Sequence, residues 1–239
     1  PMLFPGKLVV AADTSEIEHL KAIANRSLDN GVTDIRLLTG AEASRLEPQI
    51  TCAAALLSPS TGIIDSHALT TALETEIRQR GATLALATTV TAVEPLPGGG
   101  FPVTAETSGQ TSVVTAQNLV LAAGLETSHL ARGLAPHLKA PIPETRFAKG
   151  HYFDLAGPAP FARLVYPLPG RGGLGIHFTR SLTGAARFGP DIEWCAEPSL
   201  NFEDDDGRRL KEFVSAIRRY WPGIEAERLR PGTVGIRPK

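Results

Sequence analysis

The chain has 239 residues, a formal net charge of -1, 42% hydrophobic and 21% charged residues. That length suits one large domain or two ordinary ones, and the composition is that of a soluble globular protein. The near-neutral balance excludes the electrostatic footprint of a nucleic-acid or anionic-membrane binder, and no apolar run approaches the roughly 18 residues that span a bilayer.

In chain order, Leu8 to Ala12 reads as a strand, and Asp13 with Glu16 three residues on gives a capping-box spacing. Ile17, Leu20, Ala24 and Leu28 form a helical apolar face that ends at Asn30-Gly31. Ile35 to Leu38 and Ala53 to Leu57 are strand candidates, with a short helix over 41–46 between them. Asp65 caps the best-signalled helix. Leu69, Leu73 and Ile77 share one face of it, and Gly81 ends it. Strands are expected over 83–87 and 89–93, then a hairpin tip at Pro97-Gly98-Gly99-Gly100, then strands over 101–106 and 112–116.

Asn118 to Ser128 is the stretch around which the rest is organised. Leu119-Val120-Leu121 is a short continuous apolar run, expected to be a strand buried on both faces. Gly124 permits a sharp turn or a close ligand, and Thr127 or Ser128 can cap the next helix. Beyond it, many prolines punctuate strand candidates over 146–155, 162–167 and 173–179. Asp204-Asp205-Asp206 opens an amphipathic helix bearing Leu210, Phe213, Val214, Ile217 and Trp221, and is expected to be a solvated helix start and not a metal site. A last strand is expected over 233–237.

Gly170 to Gly175 matches G-x-G-x-x-G, but it comes after Pro167 and Pro169 and precedes the alternating Ile176-His177-Phe178-Thr179. A dinucleotide fingerprint needs a strand before it and a helix after it. The run therefore reads as a glycine-rich hairpin. Cys52 and Cys195 show no metal-ligand spacing and read as buried reduced thiols, which suits a cytoplasmic protein. Pro1 precedes Met2, and Gly235 to Lys239 stops inside a strand. Both ends look cut, so a fragment of a longer chain is expected.

Several stretches resemble, in order and spacing, the central part of the FAD-dependent oxidoreductases of the D-amino-acid-oxidase-like superfamily. The best match is the L-2-hydroxyglutarate dehydrogenase/oxidase family. They are Gly6 to Ala11, Gly62 to Asp65, Leu121 to Leu125, Lys149 to Phe153, Val165 to Pro169, Leu174 to Thr179, Gly189 to Asp191 and Gly235 to Lys239. The resemblance implies a mixed α/β fold: part of an FAD-binding layered domain over 62–138, and an antiparallel-sheet substrate domain built from 1–61 and 139–239. It implies FAD as cofactor, with Val90, Ala123, Gly124, Gly235 and Ile236 beside it. The family's N-terminal fingerprint is absent, so the 239 residues alone are expected to hold FAD weakly.

The resemblance further implies oxidation of a small 2-hydroxy acid, with L-2-hydroxyglutarate the first candidate. Arg237 would pair with a substrate carboxylate through a bidentate fork, helped by Lys239. His177 would take the hydroxyl proton and Tyr152 would line the pocket, with His151, Tyr166 and Lys149 as further walls. Electrons would pass to oxygen or to a membrane acceptor, which leaves peripheral membrane contact open. The rivals are an amine or amino-acid oxidase of the same fold, and a non-catalytic module that grips a small anion or a partner chain.

Overall fold

The computed structural model describes residues 1–169 and 175–239. In chain order the elements are β1 (Met2–Leu3), β2 (Lys7–Ala11), α1 (Ile17–Asp29), β3 (Arg36–Thr39), α2 (Gly40–Leu46), β4 (Ala54–Ser58), β5 (Ile63–Ile64) and α3 (Ser66–Gln79). Next come β6 (Thr88–Val93), β7 (Phe101–Thr107), β8 (Gln110–Ala116) and α4 (Thr127–Ala131). The remainder are β9 (Phe147–Leu155), β10 (Leu164–Pro167), β11 (His177–Arg180), β12 (Ala186–Gly189), β13 (Glu193–Cys195), α5 (Arg208–Arg218) and β14 (Leu229–Pro238).

Two compact units divide the chain. The first holds Pro1–Leu69, Lys149–Trp194 and Pro198–Ile236; the second holds Thr70–Ala148, Cys195–Glu197 and Arg237–Lys239. Their borders fall at 69/70 and 148/149, some eight to ten residues past the expected 61/62 and 138/139.

The first unit is built on a sheet of nine strands among the described residues, in the order β13-β9-β12-β11-β10-β2-β4-β3, with β14 also on β9. The pairs β3–β4, β4–β2, β10–β11, β11–β12 and β12–β9 run antiparallel. The β2–β10 pair runs parallel, so the sheet is mixed where a wholly antiparallel one was expected. Side chains alternate between its faces. Leu8, Val10, Leu57, Phe153, Val165, Phe178 and Phe188 point to one face, where Phe213 and Ile217 of α5 meet them in a single buried cluster. Most of the aromatic rings there meet edge-on or tilted, Phe153 and Phe213 with centroids 4.8 Å apart, while Phe188 and Trp221 stack at 5.7 Å. On the opposite face, Val9, Ala11 and Leu56 pack against Leu20 and Ala24 of α1.

Local signals explain the ends of these elements. The Asp13 carboxylate accepts from the Ser15 amide at 3.0 Å, and Glu16 accepts from the Ala12 amide at 2.6 Å. Thr39 and Glu42 close a reciprocal capping box at the start of α2. Asp65 accepts from the Ala68 amide at 3.0 Å at the start of α3. Asp204 accepts from the amides of Arg209 and Leu210 at 2.8 and 3.1 Å, the helix-start role expected of it.

The second unit is a three-stranded antiparallel meander, β6-β7-β8, with most of α3, α4 and two 3-10 turns. Val93, Ala105, Leu130 and Leu134 are its buried apolar residues along with Ala148. Gly133 lies so close to the Val93 carbonyl that no Cβ would fit.

Three expectations need correction. Leu119-Val120-Leu121 is not a strand, and Val120 is 87% exposed. An apolar run becomes a strand only where a neighbour completes its ladder, and no described strand pairs with it. Residues 83–87 are also not a strand: Ala87 has φ of 51°, which turns the chain before β6. Thr127 and Ser128 lie inside α4 and cap nothing. The Ser128 hydroxyl instead donates to the Pro143 carbonyl at 2.9 Å and meets Thr145 Oγ1 at 2.6 Å. Of the glycine run, residues 170–174 lie outside the described residues, and Gly175 leads into strand β11 rather than into a helix.

Candidate functional site

Register assembles a row of residues across the first unit's sheet. Tyr166 on β10 stands opposite His177 on β11, because Val165 pairs with Phe178 in antiparallel register. His177 pairs with Gly189 of β12, and the β12–β9 register places Gly189 opposite Tyr152. On the β2 side, Val9 pairs with Tyr166. α1 packs on Val9 but is not part of the cluster around Tyr166, His177 and Tyr152. The sequence alone offered His177 and Tyr152 as separate candidates. The sheet brings them together, with Tyr166 between β2 and β11.

The geometry of this row is specific. The Tyr166 and His177 rings stack at 3.9 Å with 17° between planes. Tyr152 meets His177 edge-on at 6.5 Å. His177 is 5% exposed. Its Nδ1 lies 3.2 Å from the Gly175 carbonyl oxygen, which can only accept. Nδ1 therefore carries a ring hydrogen, and in the neutral tautomer that this selects the ring lone pair lies on Nε2. Burial, then the neighbouring Tyr152, pushes the Tyr166 phenol up from its ordinary pKa, so it stays protonated at neutral pH.

Lys7 joins the site from β2. Its Nζ lies 5.3 Å from the Tyr166 ring centroid, and burial lowers its pKa from the ordinary lysine value. Sequence reading missed Lys7. Alternation shows that it shares a face with Val9, but the parallel pairing of β2 with β10 is a long-range fact that no local pattern carries.

The segment Gly189-Pro190-Asp191 holds Tyr152 in place. A Cβ on Gly189 would come within 2.8 Å of the Tyr152 ring, and one on Gly150 within 2.7 Å of Pro190. Asp191 Oδ1 accepts from the His151 amide at 2.7 Å and faces His151 Nδ1 at 2.9 Å. Asp191 Oδ2 pairs with Arg209, whose other nitrogen reaches Glu193 at 2.6 Å. His151 and Lys149 are thus corrected as pocket walls. They alternate with Tyr152 along β9, are 0% and 2% exposed, and His151 packs on Phe202 in the interior.

The other predicted site residues fall elsewhere. Val90 and Ala123 line one apolar hollow in the second unit, with Val93, Val103, Val120 and Leu130. Gly124 has φ of +58° and open space where a Cβ would stand. Gly235 and Ile236 lie on β14, with the exposed Arg237 next in the strand. The Lys239 backbone pairs with that of Arg146 at 2.9 Å in both directions.

A family model described as FAD dependent oxidoreductase, named DAO, matches residues 1–239. The chain belongs to the DAO family. Among curated proteins this DAO chain is 35% identical over 269 residues to the mitochondrial L-2-hydroxyglutarate dehydrogenase of Arabidopsis thaliana, covering 98% of the chain and 56% of that protein. It is 29% identical to the L-2-hydroxyglutarate dehydrogenase of Salmonella houtenae, covering 97% of the chain and 61% of the relative. The chain thus spans little more than half the length of these relatives. Among solved structures, FAD-bound L-alpha-glycerophosphate oxidase from Mycoplasma pneumoniae superposes with a TM-score of 0.84 at 21% identity, over 100% of the chain and 62% of that protein. Glycine oxidase from Geobacillus kaustophilus gives 0.75 at 18%, over 100% of the chain and 60% of that protein. These two likenesses establish the DAO fold.

The residues present suit parts of a flavin dinucleotide. The hollow beside Val90 is lined by apolar side chains, as a flat base would require, and the positive-φ turn at Gly124 leaves open space for close approach. The Tyr166–His177–Tyr152 row offers an aromatic face with one proton acceptor.

Proposed function

We propose that the protein containing this chain oxidises a small 2-hydroxy acid, L-2-hydroxyglutarate being the first candidate. The observation that carries this reading is the buried His177, its Nδ1 held by the Gly175 carbonyl, beside two tyrosines on one sheet face. The identity to L-2-hydroxyglutarate dehydrogenases supports the substrate class. Bound FAD supplies the acceptor for the hydride leaving the hydroxyl-bearing carbon. Val90, Ala123 and Gly124 would hold part of it in the second unit.

His177 Nε2 takes the hydroxyl proton as that carbon is oxidised. The stack on Tyr166 fixes the imidazole plane, and the Gly175 carbonyl fixes its tautomer. Tyr152 orients the substrate from the edge of the row. The assignment of Arg237, exposed at the end of β14, to a substrate carboxylate rests on the resemblance alone.

The test uses the full-length natural protein with its flavin. Anaerobic addition of L-2-hydroxyglutarate should bleach the flavin absorbance. His177→Gln should slow that bleaching by about 10²–10⁴-fold while flavin content stays the same. Bleaching by glycine or another amine, with none by a 2-hydroxy acid, would replace this reading with that of an amine oxidase. Unaltered bleaching in the glutamine variant would remove His177 as the base.

A further inference from the structure

We propose that Lys7 is the cation that binds the distal carboxylate of a dicarboxylic substrate, and so sets the preference for a dicarboxylic over a monocarboxylic 2-hydroxy acid. This rests on the function proposed above and names which part of the substrate the sheet face reads.

The starting observation is an unpaired cation. Lysines at a sheet surface normally extend their ammonium into water or onto a carboxylate. Lys7 is instead partly buried, and among the described residues no carboxylate lies within ion-pair distance and no acceptor within hydrogen-bond distance of its Nζ. Its cross-strand neighbours are Leu164 and Ser58, which bring no charge. The Arg187–Asp154 pair lies farther along the same row, with Nε and Oδ1 at 3.6 Å. Asp154 is therefore already engaged by a cation of its own. The Tyr166 ring offers Lys7 only a cation–π contact at 5.3 Å, a weak return for desolvating an ammonium.

The second observation is where the cation sits. β10 lies between β2 and β11, so Lys7 and His177 approach Tyr166 from opposite sides. Lys7 Nζ and the His177 ring centroid thus both lie within 5.3 Å of the Tyr166 ring centroid. A short chain with a hydroxyl near one end and a carboxylate at the other spans such a gap. A three-carbon hydroxy acid leaves Lys7 unpaired. The chemistry selected is a compact anion joined to the reacting carbon by a few methylenes.

The experiment compares Lys7→Met and Lys7→Arg with wild type in the full-length flavoprotein. For Lys7→Met, the ratio of kcat/KM for L-2-hydroxyglutarate to that for L-2-hydroxybutyrate should fall about 30-fold, mainly through KM for the dicarboxylate. Lys7→Arg should recover part of the ratio, since the charge is kept. Calorimetric titration with glutarate, which has no hydroxyl to oxidise, should show weaker binding in Lys7→Met, with butyrate as the control. An equal loss on both acids would mean that Lys7 merely supports Tyr166, and an unchanged ratio would overturn the proposal outright. If wild type oxidises neither acid, the proposed function falls, and the glutarate titration alone still decides whether Lys7 binds a carboxylate.

Discussion

Phe213 and Ile217 stand four residues apart on α5 and are both 0% exposed; Leu73 and Ile77 stand four apart on α3 and are 52% and 40% exposed. The sequence signature is the same in both helices. α5 lies against a sheet whose inner face carries Phe153, Phe178 and Phe188. α3 has no buried residue at all. The same contrast holds for strands. Leu8 and Val10 are fully buried in β2, whereas Val120, in an equally apolar run, is almost wholly exposed. Periodicity identifies the face that gains by burial. It does not supply the surface that buries it.

Core truncation sharpens this contrast most. Phe178→Ala removes a ring in contact with Phe161 and Phe188 and should destabilise the first unit by about 3–5 kcal/mol. Val120→Ala should shift stability by no more than about 0.5 kcal/mol. Urea unfolding followed by fluorescence of the buried Trp221 measures the first. Equal shifts from the two changes would show that the exposure of Val120 is not a feature of the folded chain in solution.

The polar clamp under Tyr152 comes next in size. Asp191→Ala leaves the His151 amide and ring without this acceptor, and one nitrogen of Arg209 without it while Glu193 is kept. The expected cost is about 1–3 kcal/mol, the range for stranding buried hydrogen-bonding groups. Asp191→Asn keeps one acceptor oxygen for His151 and should cost less. Thermal denaturation of both variants gives the comparison. A neutral alanine variant would mean that the backbone of β9, and not this clamp, fixes Tyr152.

Much of this architecture was legible in the sequence because its signals are local. Asp13, Asp65 and Asp204 each cap or open a helix as their spacing implies, and α5 keeps to its apolar face. The resemblance supplied the family, and the family model spans the chain. What could not be read was pairing. β12 and β13 are short strands of three or four residues without alternation strong enough to stand out. The β2–β10 contact joins Lys7 to Leu164 across more than half the chain. That contact brings Lys7 beside Tyr166, so the sequence offered His177, Tyr152 and Tyr166 without Lys7.

The smallest expected effect lies at Asp65, the cap of the helix that opens in the first unit and continues in the second. The Ala68 amide bonded to its carboxylate holds its pKa below the ordinary aspartate value, with a smaller contribution from the amide of His67. The folded state therefore favours the ionised form. Its stabilisation is fully present above the unfolded carboxylate pKa of about 3.9 and fades as pH falls through the lower folded value. Asp65→Ala should lower the melting temperature at neutral pH, and the gap from wild type should narrow in the acid range. Asp65→Asn keeps a capping oxygen without the charge, so it should fall between the two at neutral pH and converge on wild type in acid. A gap between wild type and the alanine variant that stays constant from neutral pH down through that range would show that the carboxylate's charge contributes nothing to the cap. The residual difference would then belong to the side-chain oxygen alone.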